Sequence, residues 1–261
     1  REISSMEQKI KWLLPDVEIL LFKSWDQIPY DNVSPSKEVQ IERLKTLKIL
    51  SNSKAKRIIL TTINSITQKI IPKSIINSHL FKISKKQKIK FADLINNLVL
   101  LGFQRTSLVR DKSEFSVRGS ILDIFPNDRS KPIRIDFFDE EIEKIFEFDP
   151  ITQKRLKEIN SDLEFNIINE LILNENNLNL FRKNFREIFP EYRNSQVYNL
   201  FSENIIPSGG EQFLPLFYDN LETLFDYVKD YKILLNDEFK NIFAVSYTHL
   251  RAHETKRNRV C

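Results

Sequence analysis

Glycine is scarce in this chain, since only four of its 261 residues are glycine. A phosphate-binding loop needs closely spaced glycines, so that backbone amides can approach the phosphates, followed by a lysine and a hydroxyl residue. The sequence contains no Gly-Lys-Ser, no Gly-Lys-Thr and no Gly-x-Gly-x-x-Gly. We therefore expect this chain to bind no nucleotide cofactor and to have no catalytic residues of its own.

Cysteine and histidine are almost absent as well. The chain has one cysteine and three histidines, and Cys261, His249 and His253 all lie in the last eighteen residues. Without them, a cysteine nucleophile, a cysteine-ligated zinc site and a disulfide framework are all excluded. The remaining His79 has no second histidine or carboxylate in helical register. We interpret it as a surface or junction residue, not a catalytic one.

Long apolar runs are missing too. No stretch approaches the roughly 18 consecutive apolar residues that a membrane span needs, and the first residues lack the features of a signal peptide. We expect a cytoplasmic location and no membrane partner. Because the chain begins at Arg1 and not at methionine, we also expect it to be an internal piece of a longer protein.

The last eighteen residues differ in composition from everything before them. VSYTHLRAHET, within residues 244–261, resembles a peptide that recurs when sequencing-adapter DNA is translated in frame, so these residues are predicted to be a non-native tail. The tail carries four basic residues and one acidic residue, and setting it aside lowers the formal net charge from +4 to +1. That balance argues against a nucleic-acid-binding module acting on its own.

The first part of the chain follows a strand, helix, strand pattern. Val17 to Phe22 and Arg57 to Thr62 are apolar, partly β-branched runs that predict strands. Apolar residues between them recur at helical spacing, at Val39, Ile41, Leu44, Leu47 and Leu50. This order predicts an α/β unit with parallel strands. Further helices are predicted at residues 64–70, 91–101, 178–189 and 221–231, with a turn at 207–210.

Two features other than these elements suggest chemistry. The loop from Trp25 to Asp31 is aromatic, as in base-stacking loops, but we interpret it as a structural loop that packs Trp25 and Tyr30. The acidic run Asp139 to Glu141, with Glu143, contains Mg²⁺-type ligands. We interpret that run as a solvated turn at a strand end, and we expect no metal.

The most informative segment comprises residues 114–126 and 132–142. It is predicted to form two antiparallel strands joined by residues 127–131, with Ile124 near Arg134, Ser120 near Phe138, and Arg118 near Glu140. Period-two alternation buries the apolar residues of the second strand and leaves Arg134 and Phe138 on the opposite face with Arg118. An exposed phenylalanine flanked by two arginines is typical of an interface hot spot. The alternative is a purely structural hairpin with solvated arginines and Phe138 under a helix.

The same residues resemble a known family. SEFSVRGSILDIFP (residues 113–126) and PIRIDFFDEEIEKIFEFDPITQKRL (residues 132–156) are similar to the second domain of the Mfd family of bacterial transcription-repair coupling factors, a domain shared with the excision-repair helicase UvrB. The similarity extends through residues 13–44, 57–72 and 206–227. The order of these motifs is that of the N-terminal UvrB-homology module of the family.

The resemblance implies a fold and a function. It implies an α/β fold in which a degenerate helicase-like (RecA-like) domain, residues 1–81 and 166–243, is interrupted by an α+β second domain, residues 82–165, carrying an antiparallel β-hairpin. The module is then a non-catalytic adaptor that recruits UvrA to stalled RNA polymerase. UvrA is contacted in the family by residues matching Arg118, Arg134 and Phe138. Ser120 departs from the glycine or alanine usual there, without removing a contact group.

The family also implies partners outside this chain. Its full-length members are ATP-dependent translocases on double-stranded DNA, with ATP and Mg²⁺ in motor domains and a C-terminal domain that masks the UvrA-binding surface. The alternative is a piece of a UvrB-type ATP-dependent helicase whose phosphate loop precedes Arg1. UvrB carries a tyrosine-rich hairpin after the Trp25 loop, whereas here the chain passes directly into SPSKEVQIERL. That difference favours the coupling factor.

Overall fold

The computed structural model describes residues 2–27, 31–52, 55–228 and 231–235. Tyr30 and the predicted non-native tail at 244–261 lie outside these ranges. The chain divides into two compact units, one formed by residues 1–73 and 182–261 and the other by residues 74–181. The limits predicted for the inserted domain, 82 and 165, both fall within the second unit.

The helices, in chain order, are α1 (Glu2–Leu13), α2 (Lys37–Asn52), α3 (Ile63–Thr67), α4 (Lys73–Ser78), α5 (Phe91–Leu100), α6 (Glu175–Ile188), α7 (Gln196–Ser202) and α8 (Leu224–Tyr227). The strands are β1 (Glu18–Phe22), β2 (Arg57–Thr61), β3 (Phe81–Ile83), β4 (Gln104–Arg105), β5 (Glu114–Arg118), β6 (Ile121–Ile124), β7 (Ile133–Phe138), β8 (Glu141–Phe148), β9 (Arg155–Glu158) and β10 (Leu163–Phe165). Short 3₁₀ helices cover Tyr192–Asn194 and Gly210–Leu216. None of the helices in the described ranges has the length and apolar character needed to cross a bilayer.

The first unit contains the predicted strand, helix, strand element. Strands β1 and β2 pair in parallel, with Glu18 opposite Arg57, and α2 connects them. The buried side of α2 includes Leu47 and also the fully buried Arg43. Arg43 donates from Nη1 to the Lys23 carbonyl at 2.7 Å and places its guanidinium 4.6 Å from the centre of the Phe22 ring. The parallel α/β prediction is confirmed.

The final predicted helix is shorter than expected. Within the described residues it covers Leu224–Tyr227, whereas the sequence predicted residues 221–231. A capping box at its start explains the late beginning, because the Asp226 carboxylate accepts from the backbone N–H and hydroxyl of Thr223, both at 2.8 Å. Residues 229 and 230 lie outside the described ranges.

The predicted turn at 207–210 forms around a glycine with a positive φ. Gly209 has φ +74°, and its N–H donates to the Ser34 hydroxyl at 3.0 Å. A β-carbon at this position would lie 2.7 Å from the backbone oxygen of Asp31, closer than real contacts allow. The turn is therefore specific for glycine, for both conformational and steric reasons.

We expect Gly209→Ala to lower the free energy of unfolding of the first unit by about 3 kcal/mol. The left-handed backbone costs roughly 1–2 kcal/mol with a β-carbon, and the clash adds a cost of the overpacking type, about 1–3 kcal/mol. Both tryptophans, Trp12 and Trp25, belong to this unit, so their fluorescence during urea unfolding reports on it. Ser208→Ala is the control, since it removes only a hydroxyl bonded to the Asn32 carbonyl. Equal losses in the two variants would contradict the steric argument.

The second unit is built on a six-stranded sheet with the order β4-β5-β6-β7-β8-β9. All neighbouring pairs are antiparallel except β4 and β5, and a separate antiparallel pair joins β3 to β10. On one face, Phe137 meets Phe91 of α5 edge-on, with the ring centres 4.9 Å apart. The architecture is thus mixed α/β, with antiparallel hairpins in the second unit.

The predicted register of the second unit was wrong by one residue. Residues 114–126 do not form one strand, because the chain folds back at Gly119 and Ser120, and Arg118 lies opposite Ile121. Gly119 has φ +60° at the first central position of this two-residue turn, as type II′ hairpins require. Strand β6 then pairs with β7 so that Arg134 lies opposite Asp123, not Ile124. Arg118 was also predicted to lie near Glu140, but in the sheet it pairs with Ile121.

Candidate protein-docking site

The candidate site is the polar face of the six-stranded sheet. In β6 the sequence alternates so that Leu122 and Ile124 are buried on the apolar face, which leaves Asp123 on the other face. The register brings Ser116 of β5 and Arg134 of β7 to either side of Asp123. Asp123 is only 1% exposed. A buried carboxylate is stable only when it is paired and hydrogen-bonded, and the neighbouring strands supply its partners.

Arg134 is the main partner of Asp123. Its Nε donates to Asp123 Oδ1 at 2.7 Å and its Nη2 donates to Oδ2 at 2.9 Å, which is the bidentate geometry of a strong ion pair. The hydrogen bond to Asp123 raises the pKa of the guanidinium further above its usual value. Arg134 also donates from Nη1 to the Gln153 carbonyl at 3.1 Å and lies 4.6 Å from the centre of the Phe148 ring. It is only 8% exposed.

Arg118 is the second partner of Asp123 and is much more accessible. Its Nη2 donates to Asp123 Oδ2 at 2.5 Å, while 44% of its side chain is exposed. The structure therefore brings Arg118 and Arg134 together on one carboxylate. The two arginines differ in accessibility, because Arg118 lies beside the Gly119 turn whereas Arg134 is covered by the Gln153 loop.

Phe138 lies at the end of β7 and is 75% exposed. The preceding Phe137 is 5% exposed, and the pairing of β7 with β8 shifts register between Asp136 and Phe137. The predicted alternation of these two side chains is therefore observed, and the alternative that a helix covers Phe138 is wrong. The Phe137 N–H donates to the Ser120 carbonyl at 2.9 Å. This bond ties the end of β7 to the turn that follows Arg118.

Sequence reasoning missed Asp123 and Gln153. A signal for Asp123 was present, since a single charged residue inside the apolar run SILDIF must be paired if the strand is buried. Gln153 gave no comparable signal. It has φ +61° in the turn between β8 and β9, and its Nε2 donates to the carbonyls of Val109 and Pro150 at 3.2 and 2.8 Å. The long-range contact with Val109 and the local contact with Pro150 together fix the loop over Arg134.

The other residues singled out in the sequence are not part of this face. His79 Nδ1 lies 2.9 Å from the Ile75 carbonyl, one helical turn earlier in its own segment. Trp25 lies over the Arg43 guanidinium at 5.4 Å, a packing contact in the first unit. Asp139 and Glu140 form an exposed turn, and within the described ranges no group of three or more His, Cys, Asp or Glu residues could hold a metal ion.

The chemistry of this face is that of binding. Guanidinium groups keep their positive charge near neutral pH, so Arg118 and Arg134 serve as fixed cations and hydrogen-bond donors. An exposed aromatic ring and a partly exposed arginine on the same face of a sheet match the composition of protein interface hot spots. The second unit therefore has the features of a protein-docking domain.

Comparison with known proteins shows which family this domain matches. Residues 81–164 match the UvrB interaction domain family, and they include the whole polar face described above. The chain is 33% identical over 229 residues to the transcription-repair-coupling factor of Haemophilus influenzae, which covers 86% of this chain and 20% of that protein. It is 31% identical over 237 residues to that of Rickettsia bellii (90% and 21%) and 29% identical over 225 residues to that of Escherichia coli (85% and 19%).

Residues 81–164 are thus a UvrB interaction domain, and the chain as a whole is a homologue of the N-terminal module of the transcription-repair-coupling factors, Mfd. The chain spans about a fifth of the length of these curated relatives.

Proposed function

We propose that this chain is a non-catalytic adaptor module that recruits UvrA to stalled RNA polymerase in transcription-coupled nucleotide excision repair. The observation that carries the proposal is the polar face of the UvrB interaction domain, where Arg118, Arg134 and Phe138 lie on two adjoining hairpins. The relatives support it, since they are transcription-repair-coupling factors, a name that joins transcription to repair.

The geometry gives Arg118 and Phe138 direct roles in the proposed contact with UvrA. Arg118 offers a planar fork of donors to a carboxylate or carbonyl of UvrA. Phe138 extends from the end of β7 and would fill an apolar recess in the partner. The sheet holds both groups in place before binding, which lowers the entropy lost on association.

The proposal extends to parts of the protein outside this chain. The first unit, with its parallel β1-α2-β2 element, would be a degenerate helicase-like (RecA-like) domain without ATPase activity. The longer protein would be an ATP- and Mg²⁺-dependent translocase on double-stranded DNA that contacts RNA polymerase, and its C-terminal domain would mask the UvrA-binding face. The location would be cytoplasmic. The UvrB-type helicase alternative is less well supported, because the relatives described above are coupling factors.

Binding of the full chain to purified UvrA, measured by calorimetry, tests the proposal. We expect Arg118→Ala with Phe138→Ala to weaken binding by at least about 30-fold, since loss of one central anchor costs roughly 2 kcal/mol or more. Phe138 is largely exposed and Arg118 is partly exposed, so the fold should be retained.

The matched control for this experiment removes one arginine and one apolar residue elsewhere in the same unit. Arg105 and Val99 are exposed and lie on β4 and α5, away from the polar face. Arg105→Ala with Val99→Ala should bind UvrA as tightly as the parent. The proposal fails if the parent chain does not bind UvrA, or if both double variants bind it equally well.

A further inference from the structure

Asp123 accepts hydrogen bonds from two arginines, although one would neutralise it. Arg134 alone supplies a bidentate pair through Nε and Nη2. The additional bond from Arg118 Nη2 to Oδ2 therefore does not serve charge balance. What it does is fix the position of a guanidinium that is 44% exposed at the edge of the proposed docking face.

Most N–H donors of the Arg134 guanidinium are already used within the domain and are not available to a partner protein. Its Nε and Nη2 are directed at Asp123, its Nη1 at the Gln153 carbonyl, and its Nη2 also lies 3.4 Å from Gln153 Oε1. One face of the guanidinium covers the Phe148 ring. With 8% exposure, it is built into the domain as a support, whereas Arg118 makes one hydrogen bond among the described residues and keeps its Nε and Nη1 for other acceptors.

We propose that Asp123 is a positioning residue of the docking site and that Arg134 acts through it. Asp123 is held by Arg134, which is held in turn by Gln153. Asp123 orients the Arg118 guanidinium so that its remaining N–H groups point to a carboxylate of the partner. The inference rests on the proposed function, and it assigns direct contact to Arg118 and Phe138 and an indirect role to Arg134.

A double-mutant cycle between Asp123→Asn and Arg118→Ala tests the inference with purified UvrA and the full chain. Asparagine keeps the shape of the side chain and one acceptor oxygen but removes the charge. We expect Asp123→Asn to weaken binding about tenfold in the parent and less than about twofold in the Arg118→Ala chain, a coupling within the range measured for residues of one hydrogen-bond network. Equal losses in both backgrounds would show a merely structural role and overturn the inference.

A second variant tests the same inference while keeping the buried ion pair, so that loss of folding is not the explanation of a weaker binding. Gln153→Ala leaves the Asp123–Arg134 ion pair intact and removes only the side-chain contacts of Gln153 with Val109, Pro150 and Arg134. We expect it to weaken UvrA binding about threefold, again only when Arg118 is present. Amide spectra of β6 and β7 would establish for each variant that the sheet is formed. A loss of the same size without Arg118 would contradict the indirect role of this support.

The free chain provides a readout that does not depend on UvrA. The guanidinium ¹⁵N resonances of Arg118, identified by their disappearance in Arg118→Ala, should show hindered rotation in the parent and free rotation in Asp123→Asn. If the parent does not bind UvrA but this difference is present, the positioning role stands and the proposed function fails. If rotation is the same in both chains, the positioning role is wrong whatever UvrA does.

Discussion

Asp123→Ala is expected to lower the free energy of unfolding of the second unit by about 3–5 kcal/mol. The substitution removes the carboxylate that accepts two bonds from Arg134, which is 8% exposed and cannot move into water without opening the Gln153 loop. A buried cation left without its partner keeps its full desolvation cost, and breaking such pairs from one side typically costs this much. The loss of the Arg118 contact adds little, because that side chain is largely solvated.

Hydrogen exchange is the appropriate measurement for this variant. Both tryptophans belong to the first unit, so tryptophan fluorescence does not report on the sheet. Amides of β6 and β7 that exchange through opening of the whole unit give its stability directly. We expect their protection to fall by a factor of about 100 or more, as 3 kcal/mol implies.

A double variant separates the unpaired charge from lost packing. Asp123→Leu with Arg134→Met replaces both partners by apolar side chains of similar size, and such replacements are often neutral or stabilising. It should recover most of the stability lost in Asp123→Ala. If the double variant is as unstable as the single one, the unpaired Arg134 is not the cause of the loss.

The neighbouring phenylalanines of β7 should respond in opposite ways to truncation. Phe137 is 5% exposed and meets Phe91 edge-on at 4.9 Å, so Phe137→Ala should destabilise the second unit by about 3–5 kcal/mol. Phe138 is 75% exposed, and Phe138→Ala should change stability by less than about 0.5 kcal/mol. If the proposed function holds, Phe138→Ala alone should still weaken UvrA binding by roughly 2 kcal/mol.

These two variants are controls for each other. They remove the same side chain at adjacent positions, so differences in composition or unfolded-state effects are small. Hydrogen exchange of β7 amides gives the stability of each, and calorimetry with UvrA gives binding for Phe138→Ala. Comparable destabilisation by both variants would mean that Phe138 packs against the domain in solution, and its assignment as a free anchor would then be wrong.

Local sequence patterns correctly predicted which residues of β7 are buried on the apolar face. Ile133, Ile135 and Phe137 alternate with polar residues, and all three are buried as period two requires. The hairpin between β5 and β6 was missed because the segment is apolar on both sides of Gly119, at Val117 and Ile121, so the turn was interpreted as part of a continuous strand. The pairing of β6 with β7 is also offset by one position from the prediction, so that Asp123 and not Ile124 lies opposite Arg134.

The burial of Arg134 could not be predicted from local sequence patterns. Alternation places Arg134 on the polar face, and solvent exposure is the ordinary expectation there. The structure covers it with the loop from Asp149 to Gln153, and Val109, Phe125 and Phe148 form a small apolar cluster of buried residues in the same unit. Contacts between residues more than 40 positions apart leave no periodic signal in the sequence.

The sequence by itself determined the parallel strands of the first unit and the face of β7 on which Phe138 lies. These follow from residue type and from side-chain alternation, which act over a few residues. Only the tertiary structure decided that Arg118 is partly exposed and Arg134 is buried, since that difference depends on a buried carboxylate in one strand and a loop folded over another. Burial and charge pairing are properties of the assembled sheet, and they left two arginines on the same face with different exposure.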